Sequence, residues 1–136
     1  MGRISGPLMD RFDLRVDVPP VAYTDLDLPG SIEGSAQVAA RVAKARQTQE
    51  QRFAGQSGTH LNADAEGDLL EQIATPDPEA RALLLRAAER FHLSARGYHR
   101  VLRVARTIAD LDGADVVQKH HLAEALSFRL PAGVAL

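Results

Sequence analysis

Arg96, Arg100 and Arg103 fall at i, i+4 and i+7, a spacing that puts three guanidinium groups on one face of a helix. His99 and Arg106 lie close by, and no carboxylate occurs between Glu89 and Asp110. A charged helix stripe is ordinarily a solvated face. Arg96 departs from that pattern. Ser94 can cap the helix start, which leaves Arg96 in the first turn, where the helix dipole is already positive and acidic residues are preferred. Gly97 beside it costs about 1 kcal/mol relative to Ala in a helix interior, and less near an end. Two locally poor choices side by side mark a candidate site. The chemistry that favours both is anion binding: a phosphate meets the arginine, the free N–H groups of the first turn and the dipole together. Arg100, Arg103 and Arg106 are candidates for further contacts to an anion or a nucleic-acid backbone.

A second cation, Arg11, stands in "MDRFDL" with Asp10 and Asp13 beside it, so its ordinary role is a surface salt bridge. Other constellations are weaker. His120 and His121 are neighbours and are expected to point in different directions on a helix. His121 and Glu124 share a face but supply two ligands where a metal site needs three or four, so no metal is expected. Ser94, His99 and Asp110 are hydrolase residue types, yet Ser94 is better used as a cap and His99 lies off its face.

These residues need elements to position them. Phe12, Leu14, Val16 and Val18 alternate with Asp13, Arg15 and Asp17, the period of a half-buried strand, and Pro19 and Pro20 end it. A strand needs neighbours for its backbone groups, and no second stretch of this quality follows. "PPVAYTDLDLPG" reads as a connection. A helix from Ser35 to Phe53 carries a thin apolar stripe of Val38, Val42, Ala45 and Phe53, as expected of a bridge between two bodies. Residues 54 to 63 are glycine-rich and polar. Beyond them the spacing predicts a short helix near 64 to 73 and one opened by Thr75, Pro76, Asp77 and Pro78. Next come the Ser94 helix, closed by Gly113, and a last helix from Gln118 to Phe128. The expected fold is mainly α: a small antiparallel helical bundle preceded by one orphan β-strand and a bridging helix. The expected organisation is a terminal strand segment over 1 to 30, a bridging helix and loop over 31 to 63, and a helical domain over 64 to 130.

At 136 residues with 45% hydrophobic content, the chain can bury a modest core, made mostly of Ala, Leu and Val. Sixteen basic residues against eighteen acidic ones give a net charge of −2, so no global basicity demands a nucleic acid or an anionic membrane. No apolar run has membrane-spanning length and no signal-peptide layout is present. The absence of cysteine removes disulfides and thiolate zinc sites and fits a cytoplasmic protein.

"RISGPLMDRFDLRVDVPPV" (Arg3 to Val21) and the stretch from "LNADAEGDLL" through "LSARGYHRVLRVARTIADLDG" to "HLAEALSFR" (Leu61 to Arg129) resemble the C-terminal portion of the magnesium-chelatase-like AAA+ ATPases, most closely the ComM/YifB branch. The resemblance implies that Phe12 to Val18 is the last strand of an AAA+ core sheet whose other strands lie upstream in full-length relatives. It implies that Arg11 is an arginine finger reaching a neighbouring subunit's nucleotide, and that Arg96 is the sensor-2 arginine of the helical lid. The phosphate loop G-x-x-x-x-G-K-[ST] does not occur in the sequence, so this chain is not expected to hydrolyse ATP by itself. It is expected to be the end of the core and the lid of a longer protein.

On that resemblance, ATP and Mg²⁺ act only in the full-length assembly, with the AAA+ core and homo-oligomeric ring neighbours as partners and DNA remodelling in recombination or transformation as the linked process. The alternative is a free-standing module whose Arg96, Arg100, Arg103 and Arg106 stripe grips a nucleic-acid backbone, with strong salt dependence. Residues 1 to 20, deprived of a sheet, are expected to fray, to swap into a neighbour or to lie against the bundle.

Overall fold

The computed structural model describes residues 8, 11–25, 28–30 and 32–129. Among the described residues lie five α-helices with defined bounds: α1 (Ser35–Arg52), α2 (Gly67–Ile73), α3 (Pro78–Arg90), α4 (Ala95–Asp112) and α5 (Lys119–Ser127). Short 3₁₀ turns lie at Tyr23–Asp25 and Asn62–Asp64. Helix α4 is the centre, packing against α1, α2 and α5, while α3 packs on α5.

The helix ends follow local chemistry. Asp77 caps α3 by accepting the Ala80 N–H at 2.7 Å, and Pro78 sits at the first helical position, where its missing N–H costs nothing. Ser94 caps α4 by accepting the Gly97 N–H at 3.0 Å. Gly113 ends α4 with φ of 71°, a left-handed conformation that glycine adopts without a Cβ penalty. A single parallel bridge, Pro76 with Val117, ties the entry of α3 to the segment before α5.

The apolar spacing read from the sequence is the buried face. Ala80, Leu83, Leu84 and Ala87 of α3, Val101, Leu102, Ala105, Ile108 and Ala109 of α4, and Leu122, Ala125 and Leu126 of α5 form one core with Leu70 and Phe53. Each fully buried leucine contributes about 1.5–3 kcal/mol relative to exposure. Helix α1 buries residues only in its C-terminal half: Ala45 and Gln49 are buried, whereas Val38 and Val42 are exposed.

The orphan strand is not found; no β-strand occurs among the described residues. Residues 12 to 18 carry no regular secondary structure, and their apolar side chains are exposed, Val18 to 86%. Alternation specifies which side chains share a face, but a strand exists only through partners for its backbone, and no sheet lies among the described residues for this segment to join. Its first half lies against the bundle instead. The Arg15 N–H donates to the Phe128 carbonyl at 2.8 Å, and Asp13 pairs with Arg100.

Candidate functional site

The first turn of α4 opens into a cavity of about 300 Å³ lined by Glu66, Gly67, Leu70, Arg96, His99, Arg100 and Arg103. Glu66, just before α2, and Gly67 and Leu70 of α2 supply the acidic and apolar wall, and α4 supplies the cations. The intrahelical ladder leaves the first N–H groups of α4 without partners inside the helix, and Ser94 satisfies one of them, that of Gly97.

Arg96 is exposed at this mouth and makes no hydrogen bond or ion pair with the described residues. Its neighbours are more constrained. Arg100 pairs with Asp13, on the segment that carries Arg11. Arg103 donates through Nη2 to the Ala65 carbonyl at 2.8 Å, while its Nε is buried without a partner among the described residues. His99 sits 3.8 Å from the Glu71 carboxylate. Arg11 is exposed, with its backbone N–H donating to the Leu8 carbonyl at 2.9 Å. Of the carboxylates flanking it, Asp13 belongs to Arg100, and Asp10 lies outside the described residues.

Arg106 is not on the solvent face, which corrects its place in the stripe. It is 1% exposed; Nε donates to Asp110 Oδ1 at 3.1 Å and Nη1 to the Asp115 carbonyl at 2.7 Å, with Nη2 on the Ala114 carbonyl. At i, i+10 from Arg96 it has rotated off the exposed face and into the bundle, where it ties down carbonyls beyond the end of α4.

Beside it, a buried polar network joins α1 to α4. Asp110 accepts from Arg52 Nη1 at 2.8 Å and from Asn62 Nδ2 at 2.7 Å, and Gln49 Oε1 accepts the Asn62 N–H at 3.1 Å. Burial by itself raises the Asp110 pKa. The hydrogen bonds from Arg52 and Asn62 and the nearby Arg106 and Arg52 charges outweigh it and hold the carboxyl below its usual range. Arg52 lies outside the apolar stripe of α1 that the sequence shows. Its partner stands 58 residues away, and no local pattern announces it.

His120 and His121 also depart from expectation. Both Nε2 atoms approach Asp112 Oδ2, at 3.7 and 3.1 Å, with ring centroids 3.9 Å apart. His121 is fully buried, and its Nδ1 accepts the Gln118 N–H at 3.0 Å. That bond leaves the proton of the neutral ring on Nε2, donated to Asp112, so the Nε2 lone pair is not offered to a metal. The arrangement is a helix cap. Ser94 is likewise committed to capping, so no nucleophile and base are assembled around it among the described residues.

Sequence reasoning also missed Arg129, whose guanidinium packs against Gly97. A glycine in the first turn of a helix is the signal that could have found it, since it marks close approach of another group.

The profile of the family described as "Magnesium chelatase, subunit ChlI C-terminal" matches residues 32–129. The chain is 40% identical over 130 residues to the competence protein ComM of Haemophilus influenzae and 37% identical over 132 residues to the protein YifB of Escherichia coli. It is 40% identical over 129 residues to the protein Rv2897c of Mycobacterium tuberculosis. Each alignment covers 95% of this chain and 25% of the relative, so the chain spans about a quarter of the length of these proteins. With the profile across the helical bundle and these identities across nearly the whole chain, the protein belongs to the magnesium chelatase ChlI C-terminal family, in its ComM/YifB branch.

Proposed function

We propose that this chain is the lid region of a magnesium-chelatase-like AAA+ ATPase, in which Arg96 contacts the phosphates of ATP as a sensor-2 arginine. The observation that carries the reading is the state of Arg96. It is exposed in the first turn of a well-capped helix, has no partner among the described residues, and lines a cavity shared with Arg100, Arg103 and His99. A triphosphate supplies the negative charge that this turn favours. Arg11, exposed on the segment held against α4, acts in trans as the arginine finger on a neighbouring subunit's ATP. Such a group accelerates phosphoryl transfer by about 10³ to 10⁵. ATP and Mg²⁺ are held chiefly by a core outside this chain. The similarity to the competence protein ComM of Haemophilus influenzae supports a link to DNA handling in transformation.

The rival reading, a nucleic-acid-binding stripe, loses support from the geometry. Arg106 is buried, Arg103 is committed to a backbone carbonyl and Arg100 to Asp13, which leaves Arg96 as the one member of the four with no partner among the described residues.

The test is an NMR titration of the ¹⁵N-labelled chain with ATP, beside fluorescence anisotropy with duplex and branched DNA at two salt concentrations. Shifts centred on Arg96 and Gly97 that vanish in Arg96→Ala are expected, with little DNA affinity. Tight DNA binding that falls steeply with salt, without an ATP response at Arg96, overturns the proposal.

A further inference from the structure

Gly97 and Arg129 are 32 positions apart in the sequence and in contact in the fold. A Cβ built on Gly97 would stand 2.9 Å from Arg129 Nη2, 3.2 Å from Nε and 3.3 Å from Cζ. All three atoms belong to one planar group, so the guanidinium lies across the bare Cα surface of the third residue of α4. Alanine there forces the arginine aside. The glycine that the helix propensity scale disfavours is thus a seat for an arginine from beyond the end of α5.

The seat lies at a place that repels cations. The first turn of α4 carries the positive end of the helix dipole and already holds Arg96. The same guanidinium also reaches the other way, where Nη1 donates to the carbonyl of Phe12 at 3.3 Å. Phe12 directly follows Arg11. The next residues are held to the same end of the bundle by the Asp13–Arg100 pair and the bond from the Arg15 N–H to the Phe128 carbonyl. One side chain therefore touches the phosphate-facing turn of α4 with its face and the backbone beside Arg11 with its edge.

We propose that Arg129 is a positioning residue that couples the anion site at Arg96 to the placement of Arg11. This inference rests on the phosphate role proposed for Arg96. A phosphate on the first turn of α4 neutralises the positive field that Arg129 sits in, tightens its seat on Gly97, and so strengthens its hold on the Phe12 carbonyl. Loss of the phosphate has the opposite effect, and the segment bearing Arg11 loosens. The device ties the occupancy of one nucleotide site to the position of the group offered to the next.

Two measurements on the whole 136-residue chain test it. In the first, amide hydrogen exchange at Asp13, Leu14 and Arg15 is compared in the wild type, Arg129→Gln, Gly97→Ala and the double variant. Each single change is expected to raise exchange by about threefold or more, the size of losing one exposed hydrogen bond, and the double variant is expected to go no further. Alanine is the better helix former, so Gly97→Ala leaves α4 intact. An unaffected segment, or effects that multiply in the double variant, overturns the link. In the second, inorganic pyrophosphate is titrated into ¹⁵N-labelled protein. In the wild type the amides of Phe12 to Arg15 are expected to shift together with Arg96; in Arg129→Gln only Arg96 responds. A segment that still follows pyrophosphate in Arg129→Gln removes the coupling role. If Arg96 itself does not respond in the wild type, the phosphate reading and the coupling role both fall, and the exchange measurement still decides whether Gly97, Arg129 and Phe12 are physically linked.

Discussion

Arg52 at the end of α1 and Asp110 near the end of α4 face each other as a forked ion pair, with Nη1 donating to Oδ2 at 2.8 Å and Nη2 closing on Oδ1. The Asp110 side chain is fully buried and Arg106 lies against it from the other side. One carboxylate therefore balances two guanidinium groups, and it is the fastening by which the bridging helix holds the bundle.

Removing that carboxylate leaves Arg106 buried without a charge partner. Asp110→Ala is expected to destabilise the chain by about 3–5 kcal/mol, the usual effect of breaking a buried pair from one side. Urea unfolding checks the magnitude, and amide exchange along Gln49 to Phe53 checks that α1 is released. A loss under about 1 kcal/mol means that Arg106 finds water, and that the network does not hold α1.

Acid should act through His121 before it acts through Asp110. Burial, followed by the neighbouring His120, holds the His121 pKa below its usual value, against the opposing pull of Asp112. A depressed histidine contributes stability that is present above about pH 6.5 and is lost as pH falls through its folded pKa, since the unfolded chain takes up the proton first. Protonation also puts a hydrogen on Nδ1, where the Gln118 N–H now points. Asp110, depressed in the same sense, contributes stability above about pH 3.9 that is lost at lower pH still. The urea midpoint is expected to fall on going from about pH 7 to pH 5, and His121→Gln, which keeps an acceptor for the cap, is expected to flatten that limb. An unchanged slope in the variant assigns the limb to another group.

Arg96→Glu is expected to stabilise the isolated chain by about 0.3–1 kcal/mol, because it replaces a cation with an anion at the positive end of α4. The same change is expected to abolish the ATP-induced shifts. A residue whose reversal strengthens the fold while removing binding is there for its ligand, and thermal unfolding beside the titration reads both effects. A destabilised Arg96→Glu means that Arg96 has a structural partner.

The Asp13–Arg100 pair is partly exposed on both sides, so Asp13→Asn is expected to shift global stability by less than about 1 kcal/mol. Its effect is expected to be local instead, as faster amide exchange at Leu14 and Arg15 with the bundle unchanged. A global loss above that range means that the segment is part of the cooperative core.

The five helices were legible because their signals are local. Asp77 with Pro78, Ser94 and Gly113 set ends within one turn of themselves, and the apolar residues of α3 and α4 repeat at the helical period. The Phe12 to Val18 alternation misled because the pattern shows a face and says nothing of whether a neighbour exists. Arg106 misled for a related reason: four arginines at near-helical spacing look like one stripe, but the tenth residue along has turned far enough to point into the bundle. His120 and His121 were expected to diverge, and instead both reach Asp112 across the turn that precedes α5.

Without any coordinates, the order of residues determined where the chain is helical and which sides of the helices are apolar, and it singled out Arg11 and Arg96 as candidate site residues. Motifs along Leu61 to Arg129 also carried the resemblance to the family that the profile and the relatives establish. Only the tertiary structure decided which cations are spoken for. Arg52 finds Asp110, Arg100 finds Asp13, Arg103 finds the Ala65 carbonyl, and Arg129 finds the bare surface of Gly97. Partners of a charged group are chosen by proximity in space, and proximity between elements far apart in the sequence is created only when the apolar faces close on one another.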